Sequence, residues 1–277
     1  MPNLYATPTE FKARPGMSAA TPDSLLLALL EAASRAVDAA CSRFFYTETA
    51  TKTFDSMAST LVQLPDDLIS ITTLKTDSEA DGTYDGETWT ANTDYILYPE
   101  NSYPKWALMV PSWGNYSFGS APSYIRIAGV WGHGDGTSSP WATTAVTGTV
   151  ATANGTTLTL SVSAGVDPGT TIKCGTEQMY VSAVTTTSAT VVRGVNGTTA
   201  AIQAAAVIST AKYPTLVKEA TLMLARNQYQ RDSGSMESLQ SEKIGDYEYT
   251  RVSLNTLESS QDKALARYIN SLVRVVV

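Results

Sequence analysis

The sequence predicts an α+β protein: a small core of three to four helices interrupted by β-rich insertions. Three observations carry this. Apolar residues recur at spacings of three and four in 22–43, 214–231 and 256–273, the period of one buried helix face. Between residues 48 and 130 the pattern shortens to short runs separated by turn clusters. Residues 143–210 hold eighteen threonines and only four charged side chains, Asp167, Lys173, Glu177 and Arg193, a composition suited to a β-barrel or sandwich-like module. The predicted divisions are 1–47, an N-terminal helical part; 48–142, a β-rich insertion; 143–210, the Thr-rich module; 211–255, a helix and linker that complete the helical core; and 256–277, a terminal helix and tail.

In chain order, Thr7-Pro8-Thr9-Glu10 opens a helix with a hydroxyl cap, Pro at the first position and Glu three residues after the cap. Pro15-Gly16 ends it. Thr21-Pro22-Asp23 repeats the opening and starts the helix at 22–43, whose stripe runs through Leu26, Leu29, Leu30, Ala33, Val37, Ala40 and Phe44. Short strands are expected from Thr49 to Phe54, Leu61 to Leu64, Ile69 to Lys75, Thr88 to Trp89, Tyr95 to Tyr98, Ala107 to Pro111 and Tyr124 to Ala128. Pro65-Asp66-Asp67, Asp81-Gly82, Asp85-Gly86 and Gly114-Asn115 form the turns. Gly129 to Pro140 reads as a glycine-rich break. Within the Thr-rich module, Met179 to Val184 and Ala189 to Arg193 form a hairpin closed by an Asn196-Gly197 corner. Met179, Val181 and Ala183 should face one side, and Cys174 should open a strand. Helix returns after Tyr213-Pro214, with Leu216, Ala220, Met223, Leu224 and Asn227 on one face. A polar linker, Asp232 to Glu242, precedes the last helix.

Charge excludes some functions. The net charge is −7, and residues 51–142, with eleven acidic and four basic side chains, carry all of it in sum. Such a surface repels a phosphate backbone, so DNA could pass it without adhering. No apolar run approaches the roughly 20 residues of a membrane span, the N-terminus lacks the apolar core of a secretion signal, and no membrane partner is expected. Cys41 and Cys174 fall in different segments and read as buried thiols, with no disulfide framework or zinc site.

Catalytic motifs are weak. His133, the single histidine, lies in Gly132-His133-Gly134-Asp135-Gly136. A glycine loop of this kind does not hold a triad, and it reads as a solvated turn. Asp77, Glu79, Asp81 and Gly82 match the first half of a calcium loop, but Thr88 stands where the bidentate acid belongs. The expectation is therefore no enzyme, no metal and no cofactor. Trp89, Trp106, Trp113, Trp131 and Trp141 could line a carbohydrate groove but read first as core or interface anchors.

Taken in order, TPDSLLLALLEAASRAVDAACSRFFY (21–46), TDYILYP (93–99), IRIAGVWGHGD (125–135), YPTLVKEATLMLARNQYQRDSG (213–234) and EKIGDYEY (242–249) resemble the head–tail connector (adaptor) proteins of long-tailed bacteriophages. The stretch GTEQMYV…TVVRGVNGTTA resembles a small β module common in phage structural proteins. Relatives of that module often carry a histidine soon after Gly-Thr. Here Ala200-Ala201-Ile202-Gln203 occupies the place, so no role of that histidine transfers.

The resemblance implies a virion neck protein, present in the host cytoplasm during assembly, that forms a homo-oligomeric ring, a dodecamer, lining the DNA exit channel. Its implied partners are the portal protein on one side and the next connector (a stopper or tail-completion protein) on the other, with genomic DNA passing without sequence-specific binding. It implies portal contact through the terminal element: Leu257, Leu265, Arg267, Tyr268, Ile269, Leu272, Arg274, Val275, Val276 and Val277. It also implies a hinge at Gly245, Tyr247 and Tyr249, and subunit packing through Leu26, Leu29, Leu30, Val37, Leu216, Met223 and Leu224. The alternative reading is a β-rich virion decoration or adhesion module that binds glycans.

Overall fold

Thr7 caps the first helix as its sequence requires. Its hydroxyl accepts the Glu10 N–H at 3.2 Å, and the Glu10 carboxylate accepts the Thr7 N–H at 2.9 Å. The structure is a computed structural model describing residues 3–86, 88–114, 116–163, 165–232, 241–244 and 247–250. Its elements fall into two compact units, a helical one and a β one.

The helical unit contains α1 (Pro8–Lys12), α2 (Asp23–Cys41), the loop 167–170 and α3 (Thr215–Asp232). Leu26, Leu30, Ala33 and Val37 of α2 are buried, as their spacing predicts, and Cys41 is buried with them, whereas Ala40 of the predicted stripe is exposed and Phe44 lies beyond the helix end. Ser34 is buried on that face too. Its hydroxyl donates to the Leu30 carbonyl at 2.7 Å and accepts the Tyr5 N–H at 3.1 Å, so the polar group is satisfied. Helix α2 ends where Ser42 takes a left-handed φ of 52°. Helix α3 packs on α2, and its buried residues are Val217, Ala220, Thr221, Leu222 and Ala225. That corrects the predicted face: Met223 and Leu224 are half-buried and Leu216 is 36% exposed. The small residues Ala220 and Ala225 are buried with Val217 and Leu222, while Leu216, Met223 and Leu224 keep part of their surface.

In the β unit, five antiparallel strands pair in the order β1-β5-β2-β4-β3. They are β1 (Glu48–Met57), β2 (Leu61–Thr76), β3 (Ile96–Tyr98), β4 (Lys105–Met109) and β5 (Ser120–Trp131). The two strands predicted at 61–64 and 69–75 are one. Pro65-Asp66-Asp67 lies within β2, at a register shift against β4 between Gln63 and Leu68. A bulge accommodates a residue with no N–H to donate, so the proline does not end the strand. Gly129 likewise stays in β5 instead of opening the loop. A side chain there would stand 2.2 Å from the Ser70 carbonyl oxygen, so glycine is what lets β5 lie close to β2. Ile125, Ile127, Trp131, Leu68, Leu74 and Leu108 fill the core of this sheet.

The Thr-rich segment closes into a six-stranded barrel ordered β10-β7-β6-β11-β8-β9. Its strands are β6 (Trp141–Val150), β7 (Thr157–Leu160), β8 (Thr171–Cys174), β9 (Glu177–Val184), β10 (Ser188–Val192) and β11 (Gln203–Ala211). Cys174 ends β8 rather than opening a strand, because Gly175 at φ +61° turns the chain directly into β9. The expected alternation along β9 breaks at Ser182. A bulge against β10 there turns Ala183 outward, while Met179 and Val181 join the barrel core.

The predicted linker and hinge stretch contains a hairpin, β12 (Ser241–Ile244) with β13 (Tyr247–Thr250), in register Ile244 to Tyr247. Tyr247 and Tyr249 are thus strand residues of a hairpin, and Gly245 lies outside the described residues.

Candidate functional site

The residues assigned to portal contact, Leu257, Leu265, Arg267, Tyr268, Ile269, Leu272, Arg274 and Val275 to Val277, lie outside the described residues. Those assigned to subunit packing divide in two. Leu26, Leu30 and Val37 are fully buried inside the helical unit and have no surface left for a neighbour. That corrects the expectation: the stripe is the protomer's own core. Leu29, one turn from Leu26 and Leu25, is different. With Leu25, Pro22, Ala20 and the Tyr229 ring of α3 it lines a groove of about 400 Å³.

Local chemistry holds this groove in shape. The Tyr229 hydroxyl and the Thr21 hydroxyl share a hydrogen bond at 3.0 Å, and Phe11 meets the Tyr229 ring edge-on at 5.8 Å. Beside it, Lys12 pairs with Asp23 at 2.7 Å and Arg14 with Glu219 at 2.5 Å. Leu25 remains 46% exposed.

The other candidate groups are engaged inside the β unit. His133 does not project from a solvated turn as predicted. Its ring packs against Phe45 at 5.1 Å, and its backbone N–H donates to the Phe44 carbonyl. Burial pushes the imidazole below its ordinary value and Arg43 adds to that, against the opposing pull of the Gly134 carbonyl, Asp67 and Asp135. The base is held neutral near pH 7, and Asp135 is engaged by Lys212 at 2.7 Å. In the acidic loop, the Asp77 carboxylate accepts the N–H groups of Asp81 and Gly82 at 3.1 and 2.9 Å. Asp81 accepts both Thr83 donors, whose hydrogen bonds lower its pKa. The acids that suggested calcium organise their own turn. Among the described residues no group of three His, Cys, Asp or Glu is placed to hold a metal ion.

The sequence reading missed a charge lock in the barrel. The fully buried Glu177 carboxylate receives Arg193 Nε and Nη2 at 2.6 and 2.7 Å, together with the N–H groups of Gly194 and Ala201. The same guanidinium donates to the carbonyls of Thr152 and Gly155. Burial raises the carboxyl pKa, but these donors outweigh it and the net shift is downward. The sequence did carry a signal: Glu177 and Arg193 are half of the module's four charges, Glu177 just before one predicted hairpin strand and Arg193 at the end of the other. The Asn196-Gly197 corner is likewise more than a turn. The Asn196 carbonyl accepts the Thr49 N–H at 2.8 Å, and the Asn196 amide donates to Gln178 at 2.8 Å, tying barrel to sheet. Comparison with known proteins adds no relative: no family model matches the chain, and no curated protein sequence matches it.

Proposed function

We propose that this chain is a structural subunit of a virion neck, a head–tail connector that forms a ring between portal and tail. In this reading its partners are the portal protein, the next connector, further copies of itself, and the DNA that passes through. One observation carries it. Helices α2 and α3 pack as one unit although nearly all of 43–214 lies between them in sequence, which is the order of parts that the motif resemblance implies. That helical unit keeps an apolar groove at Leu25, Leu29 and Tyr229, a surface suited to the neighbouring copy. Repetition around a ring turns many weak contacts of this kind into a stable joint. Part of the acidic excess of 51–142 faces the channel in this reading and keeps DNA from adhering.

The test is electron microscopy and mass measurement of the purified chain with and without a portal protein. Rings that form on the portal, and are lost when the chain is truncated at Asn255 while its circular dichroism persists, are the expected result. A truncated chain that still binds the portal rejects the assignment of 256–277. An intact chain that neither oligomerises nor binds any portal rejects the connector reading itself.

A further inference from the structure

At the β3–β4 edge of the five-stranded sheet lies an open cleft of about 500 Å³. Its lining includes Asn92, Tyr95, Asn101, Tyr103, Lys105 and Trp113. Trp113 is 68% exposed, costly for the largest apolar side chain unless something covers it. The surrounding loops are held in place. The Thr90 N–H donates to the Asp94 carboxylate at 2.8 Å, the Asn92 N–H to the Tyr95 carbonyl at 2.8 Å, and the Gly114 N–H to the Pro111 carbonyl at 2.9 Å.

We propose that this cleft is a binding site for a neutral carbohydrate of one or two pyranose rings. The volume falls within the range of small-ligand sites. The Trp113 indole offers a flat face to the C–H side of a sugar ring. The amides of Asn92 and Asn101 each offer paired donors and an acceptor, the complement of adjacent hydroxyls.

Charge argues against other ligands. The Lys105 ammonium is buried, lies 4.3 Å from the Tyr103 ring centre and donates to the carbonyls of Pro99 and Glu100, so it is poorly placed to serve a phosphate. Among the described residues Glu100 is the one carboxylate lining the cleft, too few for a metal. Glycoside hydrolysis takes two carboxylates flanking the bond, so the site binds rather than cleaves. An added peptide strand would find only three residues in β3 before Pro99.

The experiment titrates the full chain with glucose, galactose, N-acetylglucosamine and their β-linked disaccharides, using saturation-transfer NMR and calorimetry. At least one neutral sugar binds. Trp113→Ala, with unchanged circular dichroism, weakens that binding at least about tenfold, and the pair Asn92→Ala/Asn101→Ala weakens it independently. Absence of binding to every neutral sugar at millimolar concentration overturns the proposal. So does preference for a sugar phosphate, or affinity indifferent to both variants. The outcome is separate from the ring reading, because none of these measurements involves oligomer mass or a portal.

Discussion

A buried carboxylate is stable only while its counter-charge stays with it, and Glu177 depends on Arg193 in this way. Replacing Arg193 with Met keeps an unbranched apolar stem but removes the guanidinium and leaves the carboxylate without its counter-charge. The expected cost is about 3–5 kcal/mol, read by urea denaturation followed in the near ultraviolet. The pH dependence follows from the direction of the shift. The folded pKa of Glu177 lies below its ordinary 4.5, so its contribution is fully present above that value. It is lost as the pH falls below 4.5 and through the lower folded value. Glu177→Gln should therefore be less stable at pH 7 and lose part of that acid sensitivity. His133 gives a direct check of burial. As the chain's single histidine it yields one imidazole NMR titration, with a midpoint expected below the ordinary 6.5. A midpoint above 6.5 would mean that Asp67 and Asp135 outweigh burial.

Elements here are fixed as much by where backbones approach as by apolar periodicity. Gly197 has φ +74°, and a methyl group on it would lie 2.0 Å from the Thr49 carbonyl oxygen at the start of β1. Gly197→Ala should cost at least about 2 kcal/mol from strain and overpacking together. The barrel-to-sheet tie should loosen first, seen as faster amide exchange at Thr49. That kind of contact marks the limit of what sequence reveals. The α1 capping box, the α2 stripe and the β9–β10 hairpin were legible because their signals are local, within four residues or across one short turn. The continuity of β2 through Pro65 was not, since a bulge depends on the partner strand. Nor was the buried face of α3, where the small Ala220 and Ala225 are buried while the larger Met223 and Leu224 are only half-buried. Among the site residues, Leu29 is the one on the α2 stripe that lines the groove. Its neighbours Leu26 and Leu30 read the same way in sequence, and only packing shows that they face inward.

At the scale of the whole chain, the helical unit buries Leu26, Leu30 and Val37 in its own core and leaves Leu25 and Leu29 beside Tyr229, the groove proposed above for a neighbouring copy. Leu25→Glu/Leu29→Glu should leave thermal unfolding of the isolated chain within about 1 kcal/mol of the parent, since neither side chain is fully buried. The same pair should abolish higher-order species in mass measurements on the portal. Assembly that survives the double substitution would move the subunit contact elsewhere. The strand pairing of the barrel has a consequence of another kind. Its first and last residues, Trp141 and Ala211, are ladder partners, so the chain enters and leaves the barrel at one point. A fold whose two ends meet can be carried as a cassette: removing 142–210 leaves a gap that a short turn can bridge. The shortened polypeptide should still form its five-stranded sheet, losing the anchorage at Thr49 and the loop 167–170 of the helical unit but no strand of that sheet. Such a layout lets a lineage gain or discard the barrel in one genetic step while the host scaffold keeps its thread.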